Sequence, residues 1–489
     1  QRCLICVSLN GRWASCFKAG KSVSQHLETL SRGERVTGAP AMSRLVYPDT
    51  NRRLWRMSGP MMLANVAVPL RGAVDTAMVG HLAEPYFLVA VATGTTIFNF
   101  IFFAFNCLRM GTTAPTAQAV GAGNHAEVRA ILWRALLLSA LISTSLLALQ
   151  LPIVDVALWM IPASAEAEAH ARTFFLIRIW AMPAALATYA FVGWLYGLED
   201  ARMPLVLQIV TNLINIALDF LFVFGFEWGV AGVAAAGLIA DLAGLAIAIF
   251  VISRRLKRFD GATTWAQVAD GARMRRMLAI NRDIFMRTFC VVSTSAIFIA
   301  RSAELGDLEA AANQILLNFL MFTSFGMDGI AFAAEALIGE AIGRGNLDRF
   351  RTAVRTVLVW TAAFAMVNVL IYWLFGLRIV YLMTDIETVR QTAETCLVWS
   401  IAMPIVSSWA FSFDGIFIGA TRTKTLRNTM FVAFAAFLLI VFGPFAELNN
   451  HLLWLAFFIF LTMRGALLAA CYPPLRSSLE RTGTSQNRN

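Results

Sequence analysis

Charge is scarce in this chain. Only 14% of its 489 residues are Asp, Glu, Lys or Arg, whereas 58% are hydrophobic, a balance that a water-soluble domain does not tolerate. Histidine is scarcer still: His26, His81, His125, His170 and His451 are scattered along the chain. With no clustered His or acids and no Walker A, GxSxG or HExxH pattern, nothing supplies a catalytic constellation, and we expect no enzyme. The seven cysteines build no framework either. Cys107, Cys290, Cys396 and Cys471 lie in or beside apolar runs, where an unpaired Cys packs as a small hydrophobe. The Cys3-Leu-Ile-Cys6 pair, with Cys16 nearby, lacks the second pair that a zinc site needs, so no metal or cofactor is expected. The formal charge is +10, but the basic residues gather in short loops instead of one stripe, which argues against a nucleic-acid partner.

What the chain has in abundance is long apolar runs. About 20 residues cross the hydrocarbon core as a helix, and runs of that length fall at 57–80, 86–108, 130–160, 172–195, 203–225 and 229–252. Six more follow at 283–303, 309–331, 355–376, 393–419, 427–445 and 450–472. The expected fold is therefore an all-α integral membrane protein of twelve spans, in contact with a lipid bilayer and monomeric. Arg44, Arg52, Arg53 and Arg56 precede the first run, and Arg254, Arg255, Lys257, Arg258, Arg273, Arg275, Arg276 and Arg282 crowd the link between runs six and seven. Arg344, Arg349 and Arg351 follow run eight, and Arg422, Lys424 and Arg427 follow run ten, while the alternate loops carry acids such as Glu84, Glu227, Asp307 and Asp385. Lys and Arg near helix ends stay on the cytoplasmic side, so both termini are expected there, in the inner (plasma) membrane of the cell. Residues 1–41, basic and Ser-rich, read as an upstream extension with no fold of its own.

The sequence repeats itself. Gln118-Ala-Val-Gly-Ala-Gly-Asn124 recurs as Glu340-Ala-Ile-Gly-Arg-Gly-Asn346, 222 positions later. Ala181-Met-Pro183 matches Ala402-Met-Pro404 at nearly that offset, and Gly193 with Gly197 matches Gly415 with Gly419. Two six-helix lobes, 42–252 and 283–475, are expected, joined by a cytoplasmic linker at 253–282 and followed by a tail at 476–489. Halves in the same orientation are related by an axis along the membrane normal, with the substrate path between them.

Ionisable groups inside a span cost on the order of 3 kcal/mol at the bilayer centre, so each needs a partner or a wet cavity. Gln208, Asn212, Asn215 and Asp219 in run five are spaced four, three and four apart and share one helical face, which should look into the lobe. The bland alternative is a set of interhelical hydrogen bonds. Asp75 in run one lies at similar depth, with Arg71 one turn earlier as a competing partner. Asp241 in run six is a third candidate, for either the site or helix packing. In the second half, Arg301 stands near the depth of Asp75. Asp328 and Asp414 lie toward the inner ends of their helices, where they line the cytoplasmic mouth or pair with Arg287, and pairing is the favoured reading. Glu335 and Glu340 read as solvated or capping. Phe98, Phe102, Met321 and Phe325 are candidates to line a cavity for flat cations.

Val74-Asp-Thr-Ala-Met-Val-Gly-His81, the Gly-Ala-Gly-Asn124 turn, Asp328-Gly-Ile-Ala-Phe-Ala-Ala-Glu-Ala-Leu-Ile-Gly339 and Asp414-Gly-Ile-Phe-Ile-Gly-Ala-Thr421 together resemble the multidrug and toxic compound extrusion (MATE) family. The last two are most similar to its DNA-damage-inducible protein F (DinF) branch, and the resemblance covers residues 44–475. It implies two six-helix bundles in a V, alternating access, and export of organic, often cationic, small molecules against inward proton or sodium flow. The family's coupling residues carry over onto Asp75, Asn215 and Asp219; the branch favours protons, although Asn and Asp oxygens there also suit sodium. Acids that other branches use in spans seven and ten have no clear match. The rival readings are a flippase for lipid or lipid-linked saccharide, which calls for a lateral opening and a basic lumen, and a channel.

Overall fold

The structure is a computed structural model that describes residues 48–79, 85–161, 164–259, 264–443 and 449–486. The expectation for residues 1–41 falls outside them, as do the side chains of Arg71 and Asp75.

Eleven helices among the described residues are long and apolar enough to cross a membrane. The helix before them, α1 (Pro48–Val79), is less apolar because it carries Asn65, Arg71 and Asp75. The first bundle continues with α2 (Tyr86–Gly121), α3 (His125–Ala148), α4 (Ala165–Gly197), α5 (Arg202–Gly225) and α6 (Gly229–Leu256). The second consists of α7 (Gly271–Leu305), α8 (Asp307–Gly343), α9 (Leu347–Met383), α10 (Glu387–Gly419), α11 (Thr423–Phe442) and α12 (Asn450–Gln486). Two expectations shift. The stretch expected as a linker is partly helical, since α7 begins at Gly271, and the expected tail continues α12 as far as Gln486.

The repeated motif is a helix stop followed by a helix start. Gly123 (φ 65°) and Gly345 (φ 64°) take the left-handed conformation that glycine adopts without steric cost. Asn124 N–H then closes onto Ala119 O at 3.0 Å, and Asn346 N–H onto Ala341 O at 3.1 Å, the bond that ends a helix with a glycine cap. The next helices start on the same asparagines, whose Oδ1 atoms accept from the Glu127 and Arg349 N–H groups at 2.9 Å. The repeat extends to packing. A methyl added to Gly193 would overlap the Arg109 carbonyl of α2, and one added to Gly415 would overlap the Ala331 carbonyl of α8. Between the bundles, Gly121 lies against the Glu340 carbonyl and Gly343 against the Gln118 carbonyl. Each contact occurs twice because each half contributes the same surface.

Within the first bundle, α1 packs on α5, α5 on α6, and α2 and α3 on α4; within the second, α10 lies against α8, α9 and α12. The bundles meet where α8 packs against α1 and α2. Their contacts come from the halves nearest the arginine-rich loops. Trp360 Nε1 donates to Asn51 Oδ1 at 2.5 Å, Trp55 and Trp360 meet edge to face at 4.8 Å, and Gly329 rests against Ser58 and Met62. Many large apolar side chains elsewhere, such as Trp159 at 82% and Trp373 at 68%, remain exposed. A surface of that kind is covered by lipid, not water.

Candidate functional site

The α5 face holds together as the spacing predicts. Asn215 and Asp219 are fully buried and Asn212 is 8% exposed. Gln208 Nε2 donates to Asn212 Oδ1, and Asn212 Nδ2 to the Ala67 carbonyl of α1, each at 2.9 Å. That second bond sets the register of two helices that run the same way. Asp75 lies eight residues beyond Ala67 and Asp219 seven beyond Asn212, so at about 1.5 Å per residue both positions stand roughly 10–12 Å further along. The α1 and α5 aspartates therefore sit at matching levels of adjacent helices. Among the described residues, neither amide atom of Asn215 has a hydrogen-bond partner. Directly after Asp219 the helix widens into a π-helical turn, Phe220–Gly225, a departure that recurs where helices carry function.

Asp241 meets a partner that the sequence reading missed. Arg178 of α4 pairs with it at 2.7 Å and lies over the Phe98 ring at 4.3 Å. Phe98 is buried, and Phe102 stacks on Tyr189 at 4.4 Å, so these two rings pack the bundle. Met321 is exposed. Phe325 is half-buried, and its carbonyl accepts from Asn65 Nδ2 at 3.2 Å.

In the second bundle Asp414 does pair with Arg287, and also with Arg464 of α12. All three are at least nine-tenths buried, and both guanidinium groups reach the same oxygen, Oδ2. Asp328 corrects the expectation: it is half-buried, and no ion pair or hydrogen bond reaches it among the described residues, because Asp414 takes Arg287. Arg301 pairs with Glu304, bonds the Val441 carbonyl at 3.4 Å and covers the Phe442 ring at 4.8 Å.

Glu335 and Glu340 are the larger correction. They are only 1% and 4% exposed, because the close approach of α2 to α8 encloses them. Glu335 stands 3.8 Å from Arg109 across the two bundles, and Arg109 covers the Phe332 ring at 3.6 Å. Glu340 pairs with Arg344, with Arg349 at 3.4 Å and with Arg53 of the other bundle at 3.3 Å. Arg178 and Arg464 each interrupt an apolar run and Arg109 directly follows one, and a lone arginine in or at the edge of such a run was the signal for all three.

Comparison with known proteins agrees with this architecture. The MatE family model matches twice, at residues 60–221 and 284–445, once in each bundle. DNA damage-inducible protein F of Escherichia coli is 38% identical over 428 residues, covering 87% of this chain and 92% of that protein. The probable multidrug resistance protein NorM of Thermotoga maritima is 26% identical, covering 78% and 81%. Among solved structures, one described as the outward-facing conformation of a multidrug resistance MATE family transporter of the MOP superfamily superposes with a TM-score of 0.76 at 19% identity, over 91% of this chain and 100% of that one. A MOP superfamily transporter from Pyrococcus furiosus superposes equally well, over 88% and 97%. A duplicated six-helix half, an acid-bearing polar face inside the first bundle and these likenesses lead to one conclusion: the chain belongs to the MATE family of membrane transporters and is not an enzyme.

Proposed function

We propose that this chain is a cation-coupled antiporter, driven by protons in preference to sodium, that exports organic cationic or amphipathic compounds by alternating access. It lies in the bacterial inner membrane, with the arginine-rich face and both termini cytoplasmic. The observation that carries this reading is the buried α5 face ending in Asn215 and Asp219, level with Asp75 on the neighbouring helix. An unbonded buried amide costs about 1–3 kcal/mol, and an ion or water held between α1 and α5 accounts for its retention at Asn215. Gln208 and Asn212 brace the site, since their amides are already committed to one another and to α1. Asp241 serves packing through Arg178, and Asp414, Arg287 and Arg464 hold the second bundle together.

Coupling requires that the ion favour one conformation over the other, because equal affinity shifts nothing. A full swing between 1:99 and 99:1 takes about 10⁴-fold preference, about 5.5 kcal/mol. Divided between Asp75 and Asp219 that is about a hundredfold each. Neutralising both relaxes the helix pair and favours the state that releases substrate outside. The test is efflux from proteoliposomes with pH and sodium gradients imposed separately. Asp219→Asn should abolish gradient-driven efflux while the protein stays folded and monodisperse; full activity of that variant refutes the assignment.

A further inference from the structure

Three pairs of positions 222 apart come together at the arginine-rich end of the bundle interface: Gln118 and Glu340, Gly197 and Gly419, Glu199 and Thr421. Glu199 and Thr421 close α4 and α10 in the same way, with left-handed backbone at φ 59° and 53°. On one side of the pseudo-axis the connection is direct. Gln118 Nε2 crosses from α2 to donate to the Gly419 carbonyl at 2.9 Å, with Thr421 Oγ1 at 3.5 Å. On the other side the equivalent positions are both glutamates. Two carboxylates only accept hydrogen bonds, so Glu340 and Glu199 cannot join as Gln118 and Thr421 do. Arg53 of α1 stands between them. Its Nε donates to Glu199 Oε2 at 3.0 Å, its Nη2 pairs with Glu199 Oε1, and the same Nη2 lies 3.3 Å from Glu340 Oε2.

We infer that Arg53 is the keystone of a two-part latch that holds the bundles together on this side, doing with a charged fork what Gln118 does with an amide. Arg344 and Arg349 also reach Glu340, but both belong to the second bundle, so these ion pairs do not cross the interface. Arg53 alone among these arginines carries that contact from one bundle to the other. It lies 22 residues before Asp75 on α1, about 33 Å along the helix from the proposed ion site, so it is a positioning residue whose effect is on the balance between conformations. The inference rests on the alternating-access reading, but not on which residues bind the ion.

The test measures the distance between nitroxide labels on exposed His125 and Asp348, at the starts of α3 and α9, in a chain whose native cysteines have been replaced. With Arg53 present one short distance should dominate. Arg53→Gln should raise the population of longer distances at least tenfold, and an unchanged distribution overturns the latch. The triple variant Arg53→Gln, Glu199→Thr, Glu340→Gln copies the amide and hydroxyl of the opposite side, and it should restore the short distance. If it stays open, the equivalence of the two sides is wrong and the inference falls with it. Should Arg53→Gln not fold, Arg53→Lys keeps the charge without the fork; the same broadening is expected, and a short distance indistinguishable from wild type overturns the proposal. Failure of Asp219→Asn to stop efflux would leave these distances unmoved, so the two readings fail separately.

Discussion

At the scale of single residues, the chain separates polar groups that hold it together from those that stay available. Asp414 belongs to the first kind. It is the shared partner of two buried arginines, and removing it leaves their charge uncompensated, at a cost of about 3–5 kcal/mol. Asp414→Asn should lose stability on that scale in denaturant titrations in detergent; a loss below about 1 kcal/mol would mean that Arg287 and Arg464 find other acceptors. Asn215 belongs to the second kind, having no protein partner for its amide among the described residues. Asn215→Leu should therefore leave unfolding unchanged or slightly delayed, since an unmet polar group is removed, while gradient-driven efflux falls at least tenfold. Retained efflux would make Asn215 a packing residue. The α5 face was legible in the sequence because its four polar residues keep helical spacing in an apolar run. The pairing of Asp414 with Arg287 was legible as well, but the partner of Asp241 and the second partner of Asp414 were not, because Arg178 and Arg464 lie 63 and 50 residues away and no spacing rule connects separate helices.

At the scale of elements, glycines decide how closely helices approach. Gly121 and Gly343 bring the ends of α2 and α8 into backbone contact, whereas nothing beyond its chain neighbours lies within 4 Å of a methyl built on Gly59 in α1. Gly59→Ala should change the stability of the protein by less than about 1 kcal/mol, because the roughly 0.5–1 kcal/mol that alanine gains in a helix interior is opposed by the clash of its methyl with the ring of Pro60. Gly343→Ala should destabilise it, because the Gln118 carbonyl it meets is backbone and cannot swing aside. Thermal unfolding of the two variants side by side checks the difference; a Gly343→Ala protein as stable as Gly59→Ala would show that α2 and α8 can shift apart at no cost. Helix number, the repeat and the turn motif were legible because each is written in local composition: apolar length, glycine at a left-handed position, asparagine at a helix start. The burial of Glu335 and Glu340 was not. Their distance from the hydrocarbon centre suggested water, and only the meeting of α2 with α8 shows that protein covers them.

At the scale of the whole molecule, the bundles are joined at the arginine-rich end, and the proposed export by alternating access requires them to part there for loading. Ala117 Cβ stands 2.8 Å from a Cβ built on Gly339, and a disulfide needs about 3.8 Å, so cysteines at these positions would cross-link after slight spreading. Oxidised Ala117→Cys, Gly339→Cys protein should lose at least nine-tenths of its transport and recover on reduction. Full transport with the cross-link formed would show that the bundles need not separate at this level.

The duplicated contacts between α2 and α8 have a consequence for symmetry. Each half presents both members of every pair, so the interface is isologous, the kind that two identical subunits form about a two-fold axis. Two copies of the first half would set Gln118 against Glu199, and two copies of the second would set Glu340 against Thr421; both combinations can hydrogen-bond directly. Only the pairing of unlike halves in one chain sets acid against acid, and Arg53 stands at that mismatch. The arginine stands where two halves alike in backbone are unequal in side chain.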